Sequence, residues 1–178
     1  MRFRDIPPFT KTSSYSVDVG WAYIEQSLAG YADDARVMGQ SFEMDPDFQR
    51  AHVWDQVRQI RYIEFVLRGG RSAKDIYWNC PGWQRTAPAG GRFVLVDGKQ
   101  RLEAVRAFLR GDILAFGARF TEFTDRLPIN AGFKFHVNDL ETDAEVLQWY
   151  IDLNAGGVAH TDAEIERVRA LLAAKTHS

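Results

Sequence analysis

The sequence predicts an α+β domain, a small mixed sheet surrounded by helices. Three observations predict it. Apolar residues recur at helical spacing in some stretches and alternate at strand spacing in others. Glycine and Asp-Pro turns separate the two kinds of stretch. Phe93-Val94-Leu95-Val96 is a continuous apolar run, as in a strand buried on both faces.

In chain order, residues 1–16 hold Pro7-Pro8 and a Thr/Ser cluster and read as an irregular arm, which leaves 17–178 as one domain. From about Asp18 to Tyr31 a helix is expected, because Trp21, Ile24 and Leu28 recur at its period. Gln40 to Met44 alternates and reads as a short strand closed by Asp45-Pro46-Asp47. Asp55 sits as an N-cap before the stripe Val57, Ile60, Ile63 and Leu67, which Gly69-Gly70 stops. Asp75 to Trp78 is a strand, and Asn79 to Gly91, with two Pro and three Gly, is a loop. The buried run at Phe93 feeds Asp97-Gly98 and then a helix carrying Leu102, Val105, Phe108 and Leu109, closed by Gly111. Strands are expected at Ile113–Phe116 and Phe133–Val137, the latter alternating with Lys134 and His136. Thr142…Glu145 and Thr161…Glu164 are two capping boxes, each opening a helix. Asn154-Ala155-Gly156-Gly157 is the turn between them.

Composition bounds the function. With 178 residues, 46% hydrophobic and 26% charged, the chain is globular and long enough for a real core. A net charge of −2 argues against coating nucleic acid by bulk charge. The charge is uneven, however. Residues 48–119 carry 13 basic and 6 acidic side chains, and residues 120–166 carry 2 basic and 10 acidic. Either the two parts pair or face water, or the basic part holds a phosphate site. Arg outnumbers Lys 17 to 5, which suits bidentate phosphate binding or merely reflects a GC-rich genome. Cys80 is the sole cysteine, so internal disulfides and multi-Cys metal sites are excluded. No apolar run is long enough to span a bilayer, and Met1 to Pro8 lacks the apolar core of a signal peptide. A soluble cytoplasmic protein without a membrane partner is expected.

The strongest local signal is Val96-Asp97-Gly98-Lys99-Gln100-Arg101, a buried strand running into a helix N-terminus. Such a joint offers unpaired backbone N–H groups and the positive end of the helix dipole to a phosphate. Gly98 permits close backbone approach, Lys99 and Arg101 add cationic donors, and Gln100 can orient water or a phosphate oxygen. Asp97 can hold a metal ion or position water. The same residues also suit a plain strand–turn–helix joint. A second signal is Phe48-Gln49-Arg50 with Val53-Trp54, which suits either a base or phosphate contact or a surface Arg beside a core Trp.

Together, Asp45-Pro46-Asp47-Phe48-Gln49-Arg50, Trp54, Val96-Asp97-Gly98-Lys99-Gln100-Arg101-Leu102 and Asn154 with Gly156-Gly157 resemble the N-terminal domain of GmrSD-type modification-dependent restriction enzymes. That prokaryotic and phage family is marked by F-Q-R…W, (I/V)-D-G-Q-Q-R-L and a late N-x-G-G turn, and the resemblance spans about residues 40–172. The family is related to the ParB/sulfiredoxin-like fold, and Gly98 to Ala104 also fits the G-x-x-R-x-x-A phosphate motif of ParB-type CTP-binding proteins. The resemblance implies binding of a nucleoside triphosphate with Mg²⁺ and, as in several members, its hydrolysis. It implies Asp97, Gln100 and Arg101 as the catalytic or metal-positioning set, with Asp97 as metal ligand. Gly98 and Lys99 would meet the phosphates, with Gln49 and Arg50 on the other wall. Asn154 is either a further binding residue or a helix cap. Lys99 replaces the commoner Gln, which adds positive charge and favours phosphate binding over hydrolysis. In sulfiredoxins this loop carries a catalytic Cys; Lys99 and Gln100 stand there instead, and Cys80 lies in another loop, so that chemistry is excluded.

Restriction enzymes of this class also carry a nuclease domain with His-Asn-His chemistry. The four His, at 52, 136, 160 and 177, show no metal-ligand spacing, so no such cleavage is expected here. A separate nuclease or defence protein is the expected partner. His52 either lines the pocket or lies at its surface. The leading expectation is thus a nucleotide-binding, NTP-hydrolysing domain of defence or counter-defence. The alternative is a non-enzymatic DNA-binding module that uses the basic middle with Trp54, Trp78 and Trp83. A third reading is an interaction protein that keeps the fold without the ligand.

Overall fold

Alternation of apolar residues builds the sheet at the centre of the molecule. The structure, a computed structural model, describes residues 2, 5–6, 13–49, 54–83, 90–154 and 162–176, with the backbone alone at 162–165 and 176. Five strands form one mixed sheet: β1 (Tyr15–Gly20), β2 (Ser41–Glu43), β3 (Asp75–Asn79), β4 (Arg92–Asp97) and β5 (Gly132–Asn138), in the order β1-β5-β3-β4-β2. β1–β5 and β3–β4 are antiparallel, while β2–β4 and β3–β5 are parallel. The β3–β4 pairing shifts register between Tyr77 and Trp78, a bulge beside the end of β4.

Helices cover both faces: α1 (Ile24–Val37), α2 (Gln56–Leu67) and α3 (Lys99–Arg110) on one, α4 (Asp143–Asn154) and α5 (Asp162–Thr176) on the other. The first face buries Ile76, Trp78, Leu95, Phe133, Phe135 and Val137 against Ile24, Ile63, Val66, Leu102 and Phe108. The second buries Val94 and Val96 against Phe48, Val146, Leu147, Tyr150 and Val168. The apolar run of β4 is therefore divided between two cores. The α+β expectation holds, as do the Asp55 cap, whose carboxylate accepts the Arg58 N–H at 2.7 Å, and the Thr142–Glu145 box. The Thr161 box lies outside the described residues. Among the described residues no helix is long and apolar enough to cross a membrane.

Two expected elements differ. Residues 18–20, expected to open the first helix, complete β1 instead, and the strand begins at Tyr15 within the expected arm. Val17 and Val19 pair with Phe135 and Phe133, and helical geometry starts at Trp21 in a 3-10 turn. Ile113–Phe116 is no strand. Phe116 and Gly117 both have positive φ (53° and 78°) between the bridged Ala115 and Ala118, a tight turn in place of extended chain.

The basic middle and the acidic later part of the chain meet at Arg92. Its guanidinium bonds Glu43 at 3.1 Å and Asp143 at 2.9 Å, and Lys175 from the end of α5 also bonds Asp143. Burial alone would raise the Asp143 carboxyl, but hydrogen bonds from Lys175 and Arg92 outweigh it and hold it below the usual range. A depressed carboxylate stabilises the fold above its unfolded pKa, near 3.9, and that contribution fades as pH falls through the lower folded value. Asp143→Asn is therefore expected to lower the urea midpoint at neutral pH. The gap to the unmodified protein should close below about pH 4. A gap that is constant with pH would contradict this account.

Candidate functional site

β4 delivers the site. Its last residue, Asp97, emerges from the double core opposite Tyr77 and accepts a bond from Arg101 Nη2 to Oδ2 at 2.6 Å, one helical turn on. Gly98 between them is the N-cap of α3 with φ 103°, and no side chain caps the first turn. The need for glycine here comes from β3. A Cβ on Gly98 would lie 2.5 Å from Ile76 Cδ1, 3.2 Å from Ile76 Cα and 3.3 Å from the Asp75 carbonyl oxygen. The close approach expected toward a ligand is thus, in the fold itself, an approach to the neighbouring strand.

The two motif segments converge. Gln49 Nε2 donates to the Leu95 carbonyl within β4 at 2.5 Å. Lys99 Nζ, on a side chain only 12% exposed, bonds the Asp45 carboxylate. Gln100 Oε1 accepts the Trp54 N–H at 3.0 Å. These three ties hold Asp45, Gln49 and Trp54 against the β4–α3 joint, with Phe48 buried in the α4–α5 core. Arg50 and His52 lie between them, outside the described residues. Asn154 is held elsewhere: it is buried at the end of α4 and donates from Nδ2 to the Tyr150 carbonyl of its own helix at 2.7 Å.

Arg101 is the least satisfied group of the cluster. One terminal nitrogen holds Asp97, and among the described residues the buried Nε has no hydrogen-bond partner. Buried donors are rarely left unpaired, so an orphan beside an ion pair marks a place for an anion or water. Two tyrosines border this region. Burial raises the Tyr62 hydroxyl, with Arg101 opposing and Asp75 adding; the hydroxyl donates to the Ala73 carbonyl at 2.8 Å. Burial likewise raises Tyr77, with Asp75 and Asp97 adding and Arg101 opposing.

Asp75, Tyr77 and His136 are the residues that motif reasoning missed. His136 Nε2 lies 2.7 Å from Asp75 Oδ1, and the Tyr77 ring stacks on the imidazole with centroids 4.8 Å apart at 15°. The signal was the alternation itself, since Asp75 and Tyr77 flank the buried Ile76 as Lys134 and His136 flank Phe135. Only the parallel β3–β5 register brings the two sets together.

Other candidates take structural places. Trp78 is fully buried, so it cannot stack on a base. Trp83 packs edge-on against Tyr15 with its Nε1 buried, and Trp54 meets Tyr62 edge-on and carries the Arg58 guanidinium over its ring. Cys80 is buried; its thiol is pushed up to about 11 by burial, with Asp34 adding, and donates to Gln40 Oε1 at 3.5 Å. At neutral pH it is an inert thiol. His160 and His177 lie outside the described residues. Among the described residues no three His, Cys, Asp or Glu side chains converge as a metal cage, and one oxygen of Asp97 is engaged by Arg101. A single carboxylate is no cage by itself, whereas Mg²⁺ carried on phosphate oxygens needs only one or two. Comparison with protein-family models, with curated proteins and with solved structures returned no match.

Proposed function

We propose that this chain binds a nucleoside triphosphate with its phosphates at the β4–α3 joint and hydrolyses it. The observation that carries the reading is the meeting of Lys99, Arg101 with its buried unpaired Nε, and the uncapped first turn of α3. Backbone donors at a helix start and two cations make an anion site, and a guanidinium fork suits phosphate oxygens. Phosphate would displace the exposed Asp45 from Lys99, and Arg101 would share its fork between Asp97 and the ligand. Mg²⁺ is proposed as the ion that arrives with the nucleotide. It takes one or two carboxylates besides phosphate oxygens and neutralises phosphate charge, and Asp97 is the carboxylate that would meet it. By the resemblance to a defence family, such an activity would serve a separate nuclease or defence protein.

A thermal-denaturation panel of the four nucleoside triphosphates, with and without Mg²⁺, tests this. A saturating ligand that binds only the folded chain is expected to raise the midpoint by about 5–10 °C. No shift with any of the four would overturn the reading and favour the ligand-free interaction protein.

One observation supports the alternative of a DNA-binding module. Arg58, Arg61, Arg68 and Arg71 are exposed along α2 and just beyond it, and none forms an ion pair among the described residues. Such a row matches a phosphate backbone, and it predicts DNA affinity that falls steeply with salt. Salt-independent binding, or none at low salt, rules this out.

A further inference from the structure

We propose that the cavity lined by α1 and the turn after β3 binds an alkylated ammonium cation. It holds about 280 Å³ and includes Phe93, near the start of β4, whereas Asp97 ends that strand. Strand residues rise about 3.3 Å each, so Phe93 and Asp97 lie roughly 13 Å apart along β4. The proposal therefore stands apart from the nucleotide reading. Four elements of the chain supply the walls. Tyr15 opens β1, Tyr31 lies on α1, Trp83 follows β3 and Phe93 belongs to β4. The Trp83 N–H closes its turn on the Cys80 carbonyl at 3.3 Å. Tyr15 and Trp83 meet at 62° with centroids 4.6 Å apart, and Tyr31 and Phe93 at 37° and 4.9 Å. Rings at such angles wall the space on several sides. Asp34, one turn beyond Tyr31 on α1, adds a carboxylate to the lining.

Charge selects a cation. Asp34 is exposed and forms no ion pair among the described residues, whereas its neighbour Asp33 is paired with Arg36 at 3.5 Å. Among the described residues no Lys or Arg lines the cavity. Burial raises the Tyr15 and Tyr31 hydroxyls, which hydrogen-bond each other, and the nearby Asp34 adds to both. These phenols and the Cys80 thiol are neutral at neutral pH, so Asp34 supplies the negative charge of the lining. Aromatic faces are negative as well, and a ring attracts a cation held over it. The walls also select the kind of cation. A primary ammonium brings three N–H donors, each of which needs an acceptor. Here the phenol oxygens are engaged with each other, which leaves one carboxylate and a surface of carbon. A quaternary ammonium has no N–H to satisfy and presents methyl groups to the rings. The volume lies just below the range of about 300–1,000 Å³ typical of drug-sized ligands, which suits a single small head group. That group is carried either by a free molecule of the choline type or by a methylated lysine side chain.

Calorimetric titration of the full chain at fixed ionic strength tests this, with tetramethylammonium, choline and Nε-trimethyllysine as probes. The control is the uncharged isostere of choline, in which a tert-butyl group replaces the trimethylammonium. It keeps the shape and loses the charge, so it is expected to bind about 10-fold more weakly than choline or worse. Unmodified lysine should not compete with Nε-trimethyllysine. Trp83→Leu removes the ring type that holds cations best but keeps an apolar wall, and should weaken choline binding about 10-fold. Asp34→Asn, at an exposed position that the fold does not depend on, should weaken choline about 3- to 10-fold and leave the isostere unchanged. Binding of either choline or Nε-trimethyllysine supports the site, and the tighter of the two names the source of the cation. Equal affinity for choline and its isostere overturns the proposal, as does full affinity in both variants or no binding of any of the three cations. None of these outcomes bears on nucleotide binding at the other end of β4.

Discussion

Gly98→Ala is expected to lower the melting midpoint by roughly 10 °C, the equivalent of about 3 kcal/mol in a chain of this size. Two costs add. A φ of 103° is a left-handed conformation that costs a side-chain-bearing residue about 1–2 kcal/mol. The new methyl group would also press on Ile76, whose side chain is fully buried and has no room to retreat. Overpacking of that kind costs about 1–3 kcal/mol. The backbone atoms at 3.2 and 3.3 Å cannot yield without shifting β3 itself. Gly117→Ala is the control: its φ is 78°, and a Cβ there meets nothing within 4 Å. It should show the backbone cost alone. Equal losses in the two variants would show that β3 does not press on the joint. Because Asp97 and Arg101 flank Gly98, the same substitution is expected to weaken nucleotide binding in whatever fraction remains folded.

Arg101→Ala should remove half or more of the nucleotide-induced rise in melting midpoint. Hydrogen bonds to charged groups contribute about 1.5–3 kcal/mol, or roughly 10- to 100-fold in affinity. Arg101→Lys retains the charge but loses the planar fork, so it should recover part of the binding only. Asp97→Asn separates two roles. If Asp97 serves as the counter-ion of Arg101, its neutralisation frees the guanidinium and strengthens binding of the nucleotide without magnesium. Binding that depends on magnesium should weaken in the same variant. Calorimetric titration of the three variants, each with and without Mg²⁺, reads all of this. Unchanged affinity in Arg101→Ala would remove the β4–α3 joint as the site.

Much of the architecture was legible because single residues carry strong local physics. Asp55 and Thr142 mark helix starts through their own side-chain oxygens, and the unbroken apolar run Phe93–Val96 matches a strand covered on both faces. β1 was misplaced because the helical spacing of Trp21, Ile24 and Leu28 is genuine and its pattern ran back into a neighbouring strand. Ile113–Phe116 misled because apolar content alone does not fix backbone sign, and Phe116 turns left-handed with its N–H bonded to Glu64 at 2.8 Å. At the site, the residues of the β4–α3 joint could be named from contiguous sequence. The ties from Asp45, Gln49 and Trp54 bring the second segment to it. The Asp75–His136 pair was not legible, since 61 residues separate the partners and only the strand order joins them.

That strand order also sets when the fold can form. β5, which follows every other strand in the chain, lies second in the sheet, between β1 and β3. Until residues 132–138 have left the ribosome, β1 has no neighbour and β3 presents an open edge carrying Ile76 and Trp78. Closing the sheet thus requires pairing between residues more than a hundred positions apart, a slow step by topology. During synthesis that unpaired edge is the part of the molecule most exposed to wrong partners, and a chaperone that covers it would act on this protein before any ligand does.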